Sequence, residues 1–208
     1  MSRKFKLLNK YYDEDFRMFR RVNIEIEKGL TVLVGCNGAG KTTFLNQIKQ
    51  DLENKDIPYL FHSNLHEGEK EWRSKAAFRG NFEFLAQSMM SSEGENIVLV
   101  MGEIARRMGD LSRRNQDSKE LWYLFDAIDS GLSIDNVLEI KEVLIPLVLE
   151  NNKDKEVYFV ISANEYELAR NEKCFDVMNG KYISFKDYED YRDFILKSRE
   201  QKNKRYDE

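Results

Sequence analysis

Apolar and polar residues alternate over positions 22–27, and the run at positions 30–34, Leu-Thr-Val-Leu-Val, is apolar or β-branched throughout. Alternation with a period of two is typical of a strand that buries one face, whereas a continuous apolar run is typical of a strand buried on both faces. A Lys-Gly pair separates the two segments and predicts a turn. The sequence therefore predicts an antiparallel β lobe over residues 1–34 that ends in the first core strand.

Helical spacing replaces this alternation further along the chain. Apolar residues from Phe44 to Leu52 recur every three or four positions and predict a helix. The apolar runs at residues 57–61, 121–126 and 156–162 predict further core strands. A longer helix is predicted by an apolar face made of Ile97, Val100, Met101, Ile104, Met108 and Leu111.

The last part of the chain completes an α/β pattern. Asn179-Gly180 lies between two apolar segments and predicts a β-hairpin, and residues 187–208 predict a C-terminal helix followed by a charged tail. Strands that alternate with helices predict an α/β fold with a mostly parallel core sheet. We expect a single domain over residues 1–208, with a helical segment over residues 62–115.

Composition narrows the class of protein. The net charge of −4 gives no overall attraction to nucleic acid or to acidic membranes. No apolar run is long enough to span a membrane, and the N-terminus lacks the apolar core of a signal peptide. The two cysteines, Cys36 and Cys174, predict free thiols in a reducing compartment, so we expect a cytoplasmic protein. The histidines, His62 and His66, lack the carboxylate or cysteine neighbours of a metal site, so we expect both at the surface.

The candidate chemistry lies between the first core strand and the first helix. Residues 35–43 read Gly-Cys-Asn-Gly-Ala-Gly-Lys-Thr-Thr and match the phosphate-binding pattern G-x-x-x-x-G-K-[ST]. Glycines let the backbone approach phosphates, and a helix N-terminus presents N–H groups to an anion. Lys41 would reach the β- and γ-phosphates, and Thr42 would place its hydroxyl on Mg²⁺. The predicted ATP-binding residues are Asn37, Gly38, Ala39, Gly40, Lys41, Thr42 and Thr43.

Two further features fit a nucleotide site. Asp126 closes the apolar run at residues 121–126, and a carboxylate at the end of a buried strand is placed to hold Mg²⁺ through water. Aromatic residues near the N-terminus could stack on the adenine or pack in the core. These aromatic residues are Phe5, Tyr11, Tyr12, Phe16 and Phe19.

Together these features resemble the ABC-type ATPases, in particular their soluble branch of SMC- and RecF-like proteins. The phosphate loop carries that family's Asn-Gly-x-Gly arrangement, and residues 129–133 resemble its dimer-contact loop. Asn64 stands where the family usually has a glutamine that contacts Mg²⁺ and the attacking water. Ser92, Glu93, Gly94 and Glu95 resemble a variant of the family's signature motif, although spacing alone favours a helix-capping box.

The resemblance implies a homodimer in which two copies of the chain associate head to tail around ATP. Each ATP would lie between the phosphate loop of one copy and the signature helix of the other, with Ser92 and Gly94 at the γ-phosphate. ATP and Mg²⁺ are the implied cofactors, and Thr42, Asp126 and Asn64 are the implied metal-binding residues. Hydrolysis of ATP would then release the dimer.

Two catalytic residues of that family are missing. Ala127 follows Asp126 where active members usually carry the glutamate that polarises the attacking water, and Ala163-Asn164 replaces an expected histidine. No catalytic residue is therefore assigned, although Asp129 and Asn164 are candidates for compensation. Ala127 could equally be an engineered substitution that was introduced to trap ATP. We expect tight ATP binding and slow hydrolysis.

Three functions follow as alternatives. The first is a slow ATPase or ATP-gated switch that acts on a partner such as an effector protein. The second is a DNA-acting module in repair or in defence against foreign DNA, because Arg106-Arg107, Arg113-Arg114 and the tail at residues 197–205 could form basic patches on a dimer. The third, a transporter ATPase subunit, is less favoured because the segment before the signature is charged and offers little apolar surface to a membrane partner.

Overall fold

The computed structural model describes residues 2–9, 18–63, 93–130 and 132–204, and in the third range it describes side chains from residue 101 onward. Six residues named above therefore lie outside the described part. These are Tyr11, Tyr12, Phe16, Asn64 and Ser92, together with His66.

A six-stranded sheet forms the centre of the fold. Its strands are β3 (Gly29–Val34), β4 (Tyr59–Ser63), β5 (Glu120–Asp126), β6 (Glu156–Ser162), β7 (Cys174–Asp176) and β8 (Lys181–Ile183). They lie in the order β4-β5-β6-β3-β7-β8, in which neighbours are parallel except for the antiparallel β7–β8 pair. A separate antiparallel sheet contains β1 (Ser2–Lys6) and β2 (Asn23–Glu27). This topology confirms the predicted α/β class with its mostly parallel sheet.

Helices connect the strands. They are α1 (Lys41–Asn54), α2 (Glu93–Arg114), α3 (Ile134–Glu139), α4 (Ile145–Asn151), α5 (Tyr166–Ala169) and α6 (Tyr188–Lys204). A π-helical turn (Ile140–Leu144) joins α3 to α4 and ends two residues before Pro146. Proline lacks the N–H group that regular helical hydrogen bonding requires. Within the described residues, none of these helices is both long enough and apolar enough to cross a membrane.

The hydrophobic core has two layers, one on each face of the sheet. Helix α1 and the β1–β2 sheet cover one face, where Phe44 packs with Trp122 and Tyr158. Helices α2 to α6 cover the other, where Met108 packs with Tyr123 and its neighbours. Successive β5 side chains alternate between these layers, which explains why the strand is apolar throughout.

His62 lies in the core, and the expectation that it lies at the surface was wrong. The predicted strand ended at residue 61, whereas β4 continues to Ser63 and places His62 opposite Phe125 of β5. The imidazole is fully buried, with its ring centre 6.2 Å from that of Phe125 in an edge contact. The predicted helical segment over residues 62–115 consequently begins too early, because residues 62 and 63 belong to the sheet.

Parallel strands bring three chain positions to one edge of the sheet. The carboxyl ends of β3, β5 and β6 lie side by side, because β6 pairs with both other strands in parallel register. Val34 is therefore followed by the glycine-rich loop at the same edge where Asp126 and Ser162 end their strands. In open α/β sheets, ligands bind at this edge.

We expect Trp122→Ala to lower the free energy of unfolding by about 3–5 kcal/mol. The indole is fully buried, stacks on Tyr158 at 4.1 Å between ring centres and meets Phe5 edge-on at 5.4 Å. Chemical denaturation followed by circular dichroism measures the change. Leu147→Ala is the control, since Leu147 is 54% exposed and its truncation should cost less than about 0.5 kcal/mol. Equal losses for the two variants would contradict this account of the core.

Candidate nucleotide-binding cleft

The glycine-rich loop has the backbone geometry of a phosphate cradle. Gly38 and Gly40 have positive φ angles of 78° and 100°, which residues with a Cβ rarely adopt. A Cβ at Gly40 would also come within 2.8 Å of Met18 Sδ, but a flexible methionine side chain can shift, so the backbone conformation is the stronger reason for glycine there. Gly40 is the N-cap of α1, and the helix therefore begins at Lys41 with its free N–H groups at the loop.

Lys41 lies beneath the loop with its ammonium largely withdrawn from water. Its Nζ donates a hydrogen bond to the carbonyl oxygen of Gly35 at 2.8 Å. Burial lowers the pKa of this ammonium, and the acidic groups of Cys36, Asp129 and Asp126 act in the opposite direction without cancelling the effect. A buried cation with so little solvation is stabilised when an anion such as a phosphate enters the cleft.

A chain of hydrogen bonds joins the loop helix to two strand ends. Thr42 Oγ1 donates to Asp126 Oδ2 at 2.9 Å, and Ser162 Oγ donates to Asp126 Oδ1 at 2.7 Å. The same Ser162 oxygen accepts the backbone N–H of Ala127 at 2.7 Å. Both oxygens of the buried Asp126 carboxylate are thus engaged, and its position is fixed from two sides.

The Thr42 hydroxyl and the Asp126 carboxylate fit Mg²⁺. Oxygen atoms are the ligands that this ion prefers, and two of them lie 2.9 Å apart at the mouth of the phosphate loop. Asn64, the third predicted metal-binding residue, lies outside the described residues. The metal site is therefore supported at two of its three predicted positions and stays a prediction.

Ala127 occupies a strained backbone position. Its φ angle is 52°, in the left-handed region that costs an L-amino acid roughly 1–2 kcal/mol. The residue is 4% exposed and its methyl group lines the cleft. A methyl group offers neither a proton acceptor nor a hydrogen bond to water.

Asp129 and Asn164, the two candidates for compensation, contact each other behind the cleft. Asp129 Oδ2 accepts the backbone N–H groups of Asn164 and Glu165 at 2.6 and 2.7 Å. Burial raises the pKa of Asp129, and these two backbone hydrogen bonds oppose that rise. Asn164 lines the cleft, whereas Asp129 does not, so Asp129 braces the loop that carries Asn164. A catalytic role for either residue stays a prediction.

The cleft itself measures about 950 Å³, which is ample for a nucleotide. The phosphate loop forms its floor, and Asp126, Ala127 and Asn164 form one wall. All of the predicted ATP-binding residues, from Asn37 to Thr43, line it. Their role in ATP binding stays a prediction that this common location supports.

Sequence reasoning missed the opposite wall, which helix α6 supplies. Six residues of that helix line the cleft, and they follow a helical period of three to four. They are Tyr188, Tyr191, Arg192, Ile195, Leu196 and Arg199. A helix so distant in sequence gives no local signal of the loop against which it packs.

The remaining sequence predictions concern the N-terminal aromatic residues and the signature motif. Phe5 and Phe19 are buried in the core, which favours packing over adenine stacking for both. The described part of helix α2 contains the predicted signature residues Glu93, Gly94 and Glu95, although their side chains are outside the described part. Ser92 precedes the described helix and lies outside as well.

The predicted basic patch on α2 is partly neutralised by acidic residues of the same helix. Arg106 makes ion pairs with Glu103 at 2.6 Å and Asp110 at 2.8 Å, and Arg113 pairs with the same Asp110 at 2.5 Å. An arginine paired in this way has less net charge to offer a phosphate backbone. These contacts do not favour the DNA-binding alternative, which stays a prediction.

Comparison with known proteins identifies the family. A model of the AAA domain matches residues 14–205, nearly the whole chain. The chain belongs to the AAA domain family. This match confirms the resemblance to ATP-binding domains of the ABC type and of the SMC- and RecF-like branch.

One curated relative shares a short segment with this AAA domain. The probable branched-chain amino acid transport ATP-binding protein LivG of Archaeoglobus fulgidus is 48% identical over 42 residues. That segment covers 20% of this chain and 16% of the relative. The similarity supports an ATP-binding domain, and its short span carries no statement about transport.

We expect Ala127→Gly to be less destabilising than Ala163→Gly by about 1 kcal/mol or more. Both alanines are almost fully buried beside the cleft, so each substitution removes a similar methyl contact. Only Ala127 has a positive φ angle, and glycine relieves the strain there. Urea denaturation of both variants measures the difference. A larger loss for Ala127→Gly would show that the position carries no backbone strain.

Proposed function

We propose that this chain is an Mg-ATP-binding domain that dimerises head to tail around ATP and hydrolyses it slowly, as a nucleotide-gated switch for a partner. The observation that carries this proposal is the contact between Thr42 Oγ1 and Asp126 Oδ2 at 2.9 Å, with Ala127 next in the chain. The contact joins the phosphate loop to the strand end that would hold the metal ion. The alanine leaves that site without the carboxylate that would activate water.

ATP binding follows from the loop and the groups around it. The N–H groups at the start of α1 and the Lys41 ammonium would contact the phosphates. Thr42 and Asp126 would hold Mg²⁺, which supplies charge neutralisation of the β- and γ-phosphates when it is bound. Ser162 keeps Asp126 in place through its 2.7 Å hydrogen bond, and so prepares the site before the metal arrives.

Slow hydrolysis follows from what lines the cleft. Among the described residues that do so, Asp126 is the only carboxylate, and both of its oxygens already accept hydrogen bonds. A general base must be free to accept a proton from water, and it typically contributes about 10²–10⁴-fold to the rate. Asn164 can orient a water molecule through its amide but cannot take its proton.

Head-to-tail dimerisation rests on the family resemblance and on the position of two elements. The loop that follows Ala127 borders the cleft through Ser130, where a second copy could contact it. The predicted signature residues Gly94 and Glu95 belong to helix α2, and at the N-terminus of a helix they would attract an anion. ATP held between the two surfaces would stabilise the dimer by mass action.

We expect Mg-ATP to convert the chain from monomer to dimer, and Ser92→Arg to prevent this conversion. An arginine side chain at residue 92 would fill the space that the partner's ATP requires. Sedimentation velocity with and without Mg-ATP measures the change. The matched control is Gln116→Arg, in the exposed turn beyond the opposite end of α2, which should leave dimerisation intact. A chain that stays monomeric with ATP bound would rule out the sandwich.

We expect steady-state turnover below about 1 s⁻¹ for this chain and a rise of at least about tenfold for Ala127→Glu. Glutamate at this position points a proton acceptor into the cleft beside the metal ligands. Ala127→Gln is the control, because glutamine has the same size but cannot accept the proton. Phosphate release at saturating Mg-ATP measures the rate. Similar rates for all three proteins would show that residue 127 does not limit hydrolysis.

A further inference from the structure

Helix α6 packs against the phosphate loop and is held there by a buried hydrogen bond. Ser198 is 4% exposed, and its Oγ accepts the backbone N–H of Cys36 at 3.1 Å. The same hydroxyl donates to Met178 Sδ at 3.2 Å, so both of its hydrogen-bonding roles are used. The contact joins residues 162 positions apart in sequence, and it fixes which face of α6 meets the loop.

One turn further along, a lysine lies on the loop itself. Lys202 Nζ donates to the carbonyl oxygen of Asn37 at 3.2 Å. A Cβ built at Gly38 would lie 3.5 Å from the same Nζ. The ammonium therefore lies above the two exposed residues of the loop, Asn37 and Gly38, and Lys202 is not among the residues that line the cleft.

Arg199 lies on the cleft-facing side of α6, between these two contacts. It is exposed, lines the cleft and makes no ion pair with any described residue. Arg192 also lines the cleft, but it is paired with Glu189 at 3.3 Å and with Asp193 at 4.0 Å. Lys197 points elsewhere, into a smaller cavity beside Asp176 and Asn179.

The negative charge of a nucleotide requires more than one cation in the cleft. A nucleoside triphosphate brings several negative charges into the cleft, and Lys41 is the only cation on the floor of the loop. On the facing wall, the Arg199 guanidinium has no ion-pair partner among the described residues, and it would lower the cost of holding that charge. The geometry points to α6 as a second phosphate-binding element supplied by the same chain, in which Arg199 binds the outer phosphates of the nucleotide. This inference rests on the proposed function and names one binding residue that the phosphate-loop motif does not include.

The assignment is tested by nucleotide affinity as a function of phosphate number. For Arg199→Ala, we expect the dissociation constant of ATP to rise about tenfold or more, that of ADP to rise less, and that of AMP to stay unchanged. Arg199→Lys should retain most of the affinity, because it keeps the charge. Lys197→Ala is the matched control, since it removes one cation from the same helix outside the cleft. Isothermal titration calorimetry of each full-length variant measures the affinities.

The outcomes separate this inference from the proposed function. If the unaltered chain binds ATP and Lys41→Ala abolishes binding, but Arg199→Ala behaves like Lys197→Ala, then the role of α6 is wrong and the nucleotide site stands. Equal weakening of ATP and AMP by Arg199→Ala would also overturn the inference, because it would indicate a disturbed loop rather than a lost phosphate contact. If the unaltered chain binds no ATP, both proposals fail. A graded loss from ATP to AMP with an unchanged melting temperature supports the assignment.

Discussion

The hydrogen bonds that converge on Asp126 are the constraint on which the rest of the site depends. The carboxylate is buried at the end of β5, and a buried charge is tolerated only where its oxygens are satisfied. Thr42 from α1 and Ser162 from β6 satisfy them. Three elements that are distant in sequence are thereby held at one edge of the sheet, and the phosphate loop acquires a fixed position relative to the strand ends.

The same constraint shapes the electrostatics of the cleft. Lys41 and Asp126 are both withdrawn from water, and the cation gains stability from the carboxylate without pairing with it directly. Lys41 donates to a loop carbonyl. The proposed Mg-ATP ligand carries both negative charge and a metal ion, and each component would compensate a charge that the protein has already buried.

Much of this fold could be predicted from periodicity and from one motif. The strand–loop–helix unit around Lys41 was predictable because local sequence dictates its backbone, and the same holds for the hairpin at Gly180. His62 was misjudged because polarity alone does not reveal that a strand continues for two more residues into the core. The wall formed by α6 was missed for a related reason, since only the folded sheet brings Ser198 to Cys36.

The hydrogen bond between Ser198 and Cys36 can form only after α6 has been synthesised. At a synthesis rate of about 5–20 residues per second, the phosphate loop emerges from the ribosome long before α6 is made. Until α6 emerges, the N–H of Cys36 lacks its partner and the cleft has only one of its walls. The nascent domain therefore carries a recognisable nucleotide motif without a complete pocket until α6 has been made.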